Sequence, residues 1–101
     1  MDLTSAQRKW LRGRSHALEP VVRLGKNGLT DGVIAEIDGA LASHELIKVQ
    51  APAPRSEKEE IAHRIEEALD ASLVGLVGHV LILFRRQADP ELRKIEIPKD
   101  L

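Results

Sequence analysis

Polar and apolar positions alternate along this chain with a period that changes several times. Thr4, followed three residues later by Gln7, has the pattern of a capping box, in which each side chain satisfies the other's main-chain N–H. The segment that follows, SAQRKWLRGRS, predicts a short helix with Trp10 and Leu11 turned inward, Arg8, Lys9 and Arg12 in solvent, and an end beginning at Gly13. Pro20 then leads into VVRL, a β-branched run of strand length that stops at Gly25. After a glycine-bounded loop, Thr30 is placed to cap a second helix, whose apolar residues Val33, Ile34, Ile37 and Leu41 recur at helical spacing.

ELIKVQA alternates, so Ile47 and Val49 face one way and Lys48 and Gln50 the other, the signature of a half-buried strand. Pro52 and Pro54 mark a connection, and Ser56 with Glu59 reads as another capping box opening a third helix with Ile61, Ile65, Ala68 and Leu69 as its stripe. SLVGLV and HVLILFR, joined near Gly78 and His79, form the pattern of a closing hairpin. The order α-β-α-β-α-β-β predicts an α/β (α+β) sandwich on a mixed four-stranded sheet, with largely parallel pairing and the hairpin as an antiparallel edge. Residues 1–88 read as a single domain and 89–101, charged and holding Pro90 and Pro98, as a tail expected to be mobile or loosely laid on the surface.

Composition narrows the class. A chain of 101 residues with 43% apolar content supports one core. Without cysteine there are no disulfides and no thiolate metal sites, and with no membrane-length apolar run and no signal-peptide pattern near the start a cytoplasmic location is expected. The net charge of −1 conceals an asymmetry: residues 1–30 carry six basic and two acidic side chains, net +4, and the remainder nine basic and fourteen acidic, net −5. A local basic face can attract a polyanion on an otherwise neutral protein.

The loop RLGKNGLT falls where that basic third meets the second helix. Gly25 and Gly28 bracket Lys26 and Asn27, and glycine permits both positive φ and close approach of another molecule to the main chain. A helix amino end with unpaired N–H groups follows, which favours an anion. The nucleotide motifs do not fit: a P-loop needs Lys followed by Ser or Thr where Asn27 stands, and the dinucleotide fingerprint fails because residue 23 is Arg. Two readings remain at this level, a plain glycine turn or the Gly-x-x-Gly backbone clamp of KH-type RNA binders.

Other constellations read as structure. HELIK lacks the second histidine of the zinc-protease motif, with Lys48 in its place and a strand rather than a helix beneath it, so no metal site is expected. The carboxylates of the third helix, Glu57, Glu59, Glu60, Glu66, Glu67 and Asp70, form a solvated acidic face, and no serine or threonine has an evident base partner. With Trp10 and Phe84 the only aromatics, stacking platforms cannot be the main mode of nucleic-acid binding unless Trp10 is exposed, and Trp10 is expected in the core.

The run LRGRSHALEPVVRLGKNGLTDGVIAEIDGALASHELIKV resembles the signature of the YhbY-type CRM domains, the chloroplast RNA splicing and ribosome maturation family, and GHVLILFR resembles that family's last strand. His79, Phe84 and Gln50 depart from its usual residues. The resemblance spans about residues 3 to 86. It implies a fold similar to the carboxy-terminal domain of initiation factor three, and a non-catalytic monomer that binds ribosomal RNA or large-subunit precursor particles during ribosome assembly, with neither a cofactor nor a small-molecule substrate. By the same resemblance the RNA-binding residues are Gly25, Lys26, Asn27 and Gly28, with Lys9, Arg12 and Arg23 as an adjoining basic surface. The alternative is a protein-interaction adaptor that docks through the sheet edge or the acidic helix.

Overall fold

A computed structural model describes residues 2–101. The chain folds as α1 (Ser5–Ser15), β1 (Pro20–Arg23), α2 (Asp31–His44), β2 (Leu46–Gln50), α3 (Arg55–Leu69), β3 (Ser72–Val77) and β4 (Val80–Phe84), followed by a 3-10 turn at Pro90–Leu92. The element order is the one read from the periodicity.

The sheet is mixed and four-stranded, as expected, but its pairing is not largely parallel. Its order is β1-β2-β4-β3, with β1 parallel to β2 and both neighbours of β4 antiparallel to it. The helical connections do keep β1, β2 and β3 pointing the same way, since β2 and β3 each oppose β4. The α3 crossover, however, skips one position, and β4 turns back from β3 to fill the gap. The hairpin's last strand is therefore central rather than an edge, which explains why four of its five residues, Leu81 to Phe84, are buried.

Helices cover both faces. Ile37 and Leu41 of α2 and Ile61, Ala62 and Ile65 of α3 pack on one face against Val22, Ile47, Val49, Leu81 and Leu83. On the other face Leu11 of α1 meets Leu46, Val74, Ile82 and Phe84, joined by Leu3, Ile95 and Ile97. Each fully buried aliphatic or aromatic side chain contributes about 1.5–3 kcal/mol.

Local signals explain most element starts. The Thr4 hydroxyl accepts the Gln7 N–H at 3.1 Å while the Gln7 carboxamide accepts the Thr4 N–H at 2.8 Å, completing the capping box of α1. Thr30 caps α2 by accepting the Val33 N–H at 3.2 Å. The third helix starts differently from the sequence reading: Pro54 is its N-cap, without a side-chain cap, and Ser56 lies inside the first turn. Glu59 is engaged instead with Arg55 at 3.1 Å. On the inner stripe of α3, Ala62 and the stem of Lys58 are buried where Ala68 was expected, and Ala68 is exposed.

The carboxy-terminal segment is neither loose nor purely superficial. Glu45, 1% exposed, accepts the main-chain N–H groups of Gln87 at 2.7 Å, Lys94 at 2.6 Å and Ile95 at 3.0 Å. That carboxylate fixes the return path of the chain, and Ile95 and Ile97 then seal the second core beside Leu3. Glu45 holds this position at φ 64°, in the left-handed region that favours glycine, just after the end of α2.

Candidate nucleic-acid interface

The loop between β1 and α2 is suspended from two buried leucines. Leu24, whose N–H donates to the Gln50 carbonyl at 2.8 Å, and Leu29 anchor its two ends in the first core. Between them Gly25 to Gly28 form a tight turn in which the Gly28 N–H donates to the Gly25 carbonyl at 3.0 Å. Lys26 and Asn27 occupy the two central positions, both exposed, and among the described residues neither has a hydrogen bond or an ion pair.

The two glycines differ in what they do. Gly28 has φ +69°, which a side chain would strain. Gly25 has no positive φ, and a Cβ built on it would meet nothing within 4 Å, so the fold itself places no demand for glycine there. A glycine with neither requirement leaves bare main chain facing outward. On its inner side the loop borders a cleft of about 390 Å³ shared with Pro52, Ala53 and Glu57.

The adjoining basic residues divide. Arg23 is exposed on β1, and its Nε donates to the Gln50 side chain at 3.0 Å. Lys9 is exposed on the outer side of α1. Arg12, expected in solvent, is half-buried: it donates to the Val74 carbonyl at 2.8 Å, and Arg8 one turn earlier donates to the Leu73 carbonyl. Both arginines thus tie α1 to β3, at the irregularity between Leu73 and Gly75 where ladder carbonyls are left over. Trp10 is half-buried against the second core, with the Arg14 guanidinium 5.7 Å from its ring.

Lys9 and Arg12 share a groove with His16 and Lys48, residues the site reading had not included. Lys48 was legible as facing away from Ile47 and Val49, but only the strand order brings it near α1.

The acidic groups of α3 are partly structural. Glu66 accepts the Leu73 N–H at 3.0 Å, and Glu67 pairs with His63 at 3.1 Å on the exposed side. Among the described residues no three metal-ligating side chains gather, and no helix is long and apolar enough to cross a membrane.

Comparison with known proteins adds a family. Residues 3–85 match the CRS1 / YhbY (CRM) domain. A Haemophilus influenzae protein named "RNA-binding protein" is 46% identical over 98 residues, covering 96% of each chain. "Probable RNA-binding protein YqeI" of Bacillus subtilis is 33% identical over 97 residues, covering 95% of this chain and 99% of its own. The solution structure of a hypothetical protein from Staphylococcus aureus superposes with a TM-score of 0.83 at 32% identity, over 96% of this chain and all of the other. A glycine turn hung on two leucines, at the head of a capped helix, is thus carried by a chain that belongs to the CRS1 / YhbY (CRM) domain family.

Proposed function

We propose that this protein is a non-catalytic RNA-binding protein that acts on ribosomal RNA or large-subunit precursor particles during ribosome assembly, gripping the phosphate backbone at Gly25 to Gly28. One observation carries the reading. The turn presents an unpartnered cation, an unpartnered amide and an outward main chain freed of a Cβ at Gly25, where the fold has no need of glycine. Bare N–H groups beside a helix amino end complement a phosphate, and Lys26 adds a mobile charge. The names of the relatives from Haemophilus influenzae and Bacillus subtilis support an RNA partner. Asp31 in the first turn of α2 favours the helix start and offsets part of the attraction at its edge of the loop.

Contacts of this kind position a strand without reading much of its sequence. The test replaces Lys26 and Asn27 together by aspartate and measures binding of ribosomal RNA fragments by filter retention. A large loss of affinity with an unchanged melting temperature is expected, because both side chains lack internal partners. Unaltered affinity would overturn the role of the loop.

A further inference from the structure

α1 and the carboxy-terminal segment cover only part of their face of the sheet. The rest is built from two rows that cross the strands. In the row nearest the glycine loop, Arg23 pairs with Gln50, Gln50 with Val80 and Val80 with Val77. In the next, Lys48 pairs with Ile82 and Ile82 with Gly75. Val77 is 63% exposed, an unusual state for a valine in a strand, and Val80 is half-buried.

Val77, Val80 and Ile82 floor a groove of about 560 Å³ whose walls carry Lys9, Arg12, His16 and Lys48, with no carboxylate among its lining. The Lys48 ammonium spends one of its three donors on the Leu18 carbonyl at 3.0 Å and keeps the others for a ligand. Gly75 lets the stem of Arg12 lie down on the sheet at the groove's edge, since a Cβ there would collide with it. Arg23 closes the first row, and the chain runs from it through Leu24 directly into Gly25.

From this juxtaposition we infer that the uncovered half of the sheet is a second contact site, which takes the base of an unpaired nucleotide on Val77 and Val80, above the buried Ile82, while Lys48, Lys9 and Arg23 hold the flanking phosphates. The inference rests on the reading of the glycine loop as an RNA grip and extends it from phosphate to base. An aliphatic floor suits a protein whose aromatics are Trp10, packed on the second core, and Phe84, fully buried. Apolar side chains take one base face out of water, and a rim that is cationic at Lys9 and Lys48, with Glu19 beside Arg23 in the adjoining cleft as an acidic neighbour, matches the charge on either side of it. The face accordingly prefers single-stranded RNA, because a paired base is not free to enter a groove of this size.

The test follows the methyl signals of Val77, Val80 and Ile82 by NMR while single-stranded oligouridylate is added to the whole chain, with inorganic polyphosphate as the charge-only control. The groove methyls should shift strongly upfield with the oligonucleotide, from the ring current of a stacked base, and only slightly with polyphosphate, which occupies the lysines alone. Val77→Ser, at an exposed position that the fold tolerates, should weaken oligouridylate binding about five- to tenfold while leaving polyphosphate binding unchanged. Oligouridylate binding that depends on Lys26 yet leaves the groove methyls unmoved would overturn this site and keep the loop reading. No binding of oligouridylate or folded ribosomal RNA fragments would overturn both. Shifts that track protein concentration without RNA would assign the face to self-association and overturn the inference as well.

Discussion

Arg12 lies across Gly75. Its Cδ sits 2.8 Å from where a Cβ of residue 75 would be, and its guanidinium continues to the Val74 carbonyl, also at 2.8 Å. A basic side chain of a helix is thereby built into the sheet, and the glycine of β3 is required by its neighbours, Arg12 above all, rather than by its backbone, since its own φ is not positive. Substitution by alanine must push the Arg12 stem away or move Ile82, whose Cδ1 would stand 3.1 Å from the new carbon. Gly75→Ala should cost about 1–3 kcal/mol, read as a lowered midpoint in urea. Pairing it with Arg12→Ala should recover part of the loss, which a double-mutant cycle would measure.

The same tie separates Arg12 from Lys26 and Lys48. Lys26→Gln and Lys48→Gln should each weaken RNA binding with little change in melting temperature. Arg12→Ala should lower the melting temperature as well, because the stem and one hydrogen bond of Arg12 belong to the packing of α1 on β3. Thermal melts beside filter binding distinguish the two classes.

Salt dependence gives a sharper measure. For a single-stranded contact, the logarithm of affinity falls against the logarithm of salt with a slope of about −0.7 per phosphate engaged. Lys26→Gln should make the slope shallower by about that amount. A protein partner held mainly by apolar burial, as for an adaptor docked through the sheet edge, would show a nearly flat dependence in both proteins.

The glycines of the turn should respond in opposite ways. Gly28→Ala forces a side chain into a positive-φ position and should cost about 1 kcal/mol of stability. Gly25→Ala meets open space at an ordinary φ, so stability should hold or rise slightly. Its effect should fall on RNA affinity, and retention of full affinity would show that bare main chain at that position is not used.

Glu45 offers a prediction about the carboxy-terminal segment. Glu45→Ala orphans three main-chain donors, each costing about 1–3 kcal/mol when it stays buried. The segment can escape most of that cost by detaching, so the variant should melt earlier and become cleavable by protease between residues 86 and 97. Glu45→Gln should fall between, with its oxygen still able to serve Lys94 and Ile95 and its amide opposing the Gln87 N–H.

What could be read from the chain divides along the range of the forces involved. The Thr4–Gln7 box, the Thr30 cap and the alternation of Ile47 and Val49 act over a few residues, and each appears in the structure where the pattern placed it. The commitment of Arg8 and Arg12 to β3 was invisible, because an arginine on a helix looks solvated until a strand some 60 residues later supplies carbonyls. Glu45 gave no local sign at all, being one carboxylate after a helix end. The segment it holds did carry a signal: Lys94, Ile95, Glu96 and Ile97 alternate with period two, and the two isoleucines are buried. Ser56 and Glu59 show the converse, a capping pattern that goes unused because Pro54, two residues earlier, is already the N-cap and Arg55 claims the glutamate.

The central place of β4 has a consequence for how the protein comes into being. During synthesis the first three strands leave the ribosome before the one that joins β2 to β3, so the nascent chain holds a sheet with its middle rung missing. The first hydrophobic layer cannot close until Leu81 and Leu83 have emerged, nor the second until Phe84, Ile95 and Ile97 follow, so a chain that ends at Val77 leaves apolar surface uncovered on both sides of the sheet.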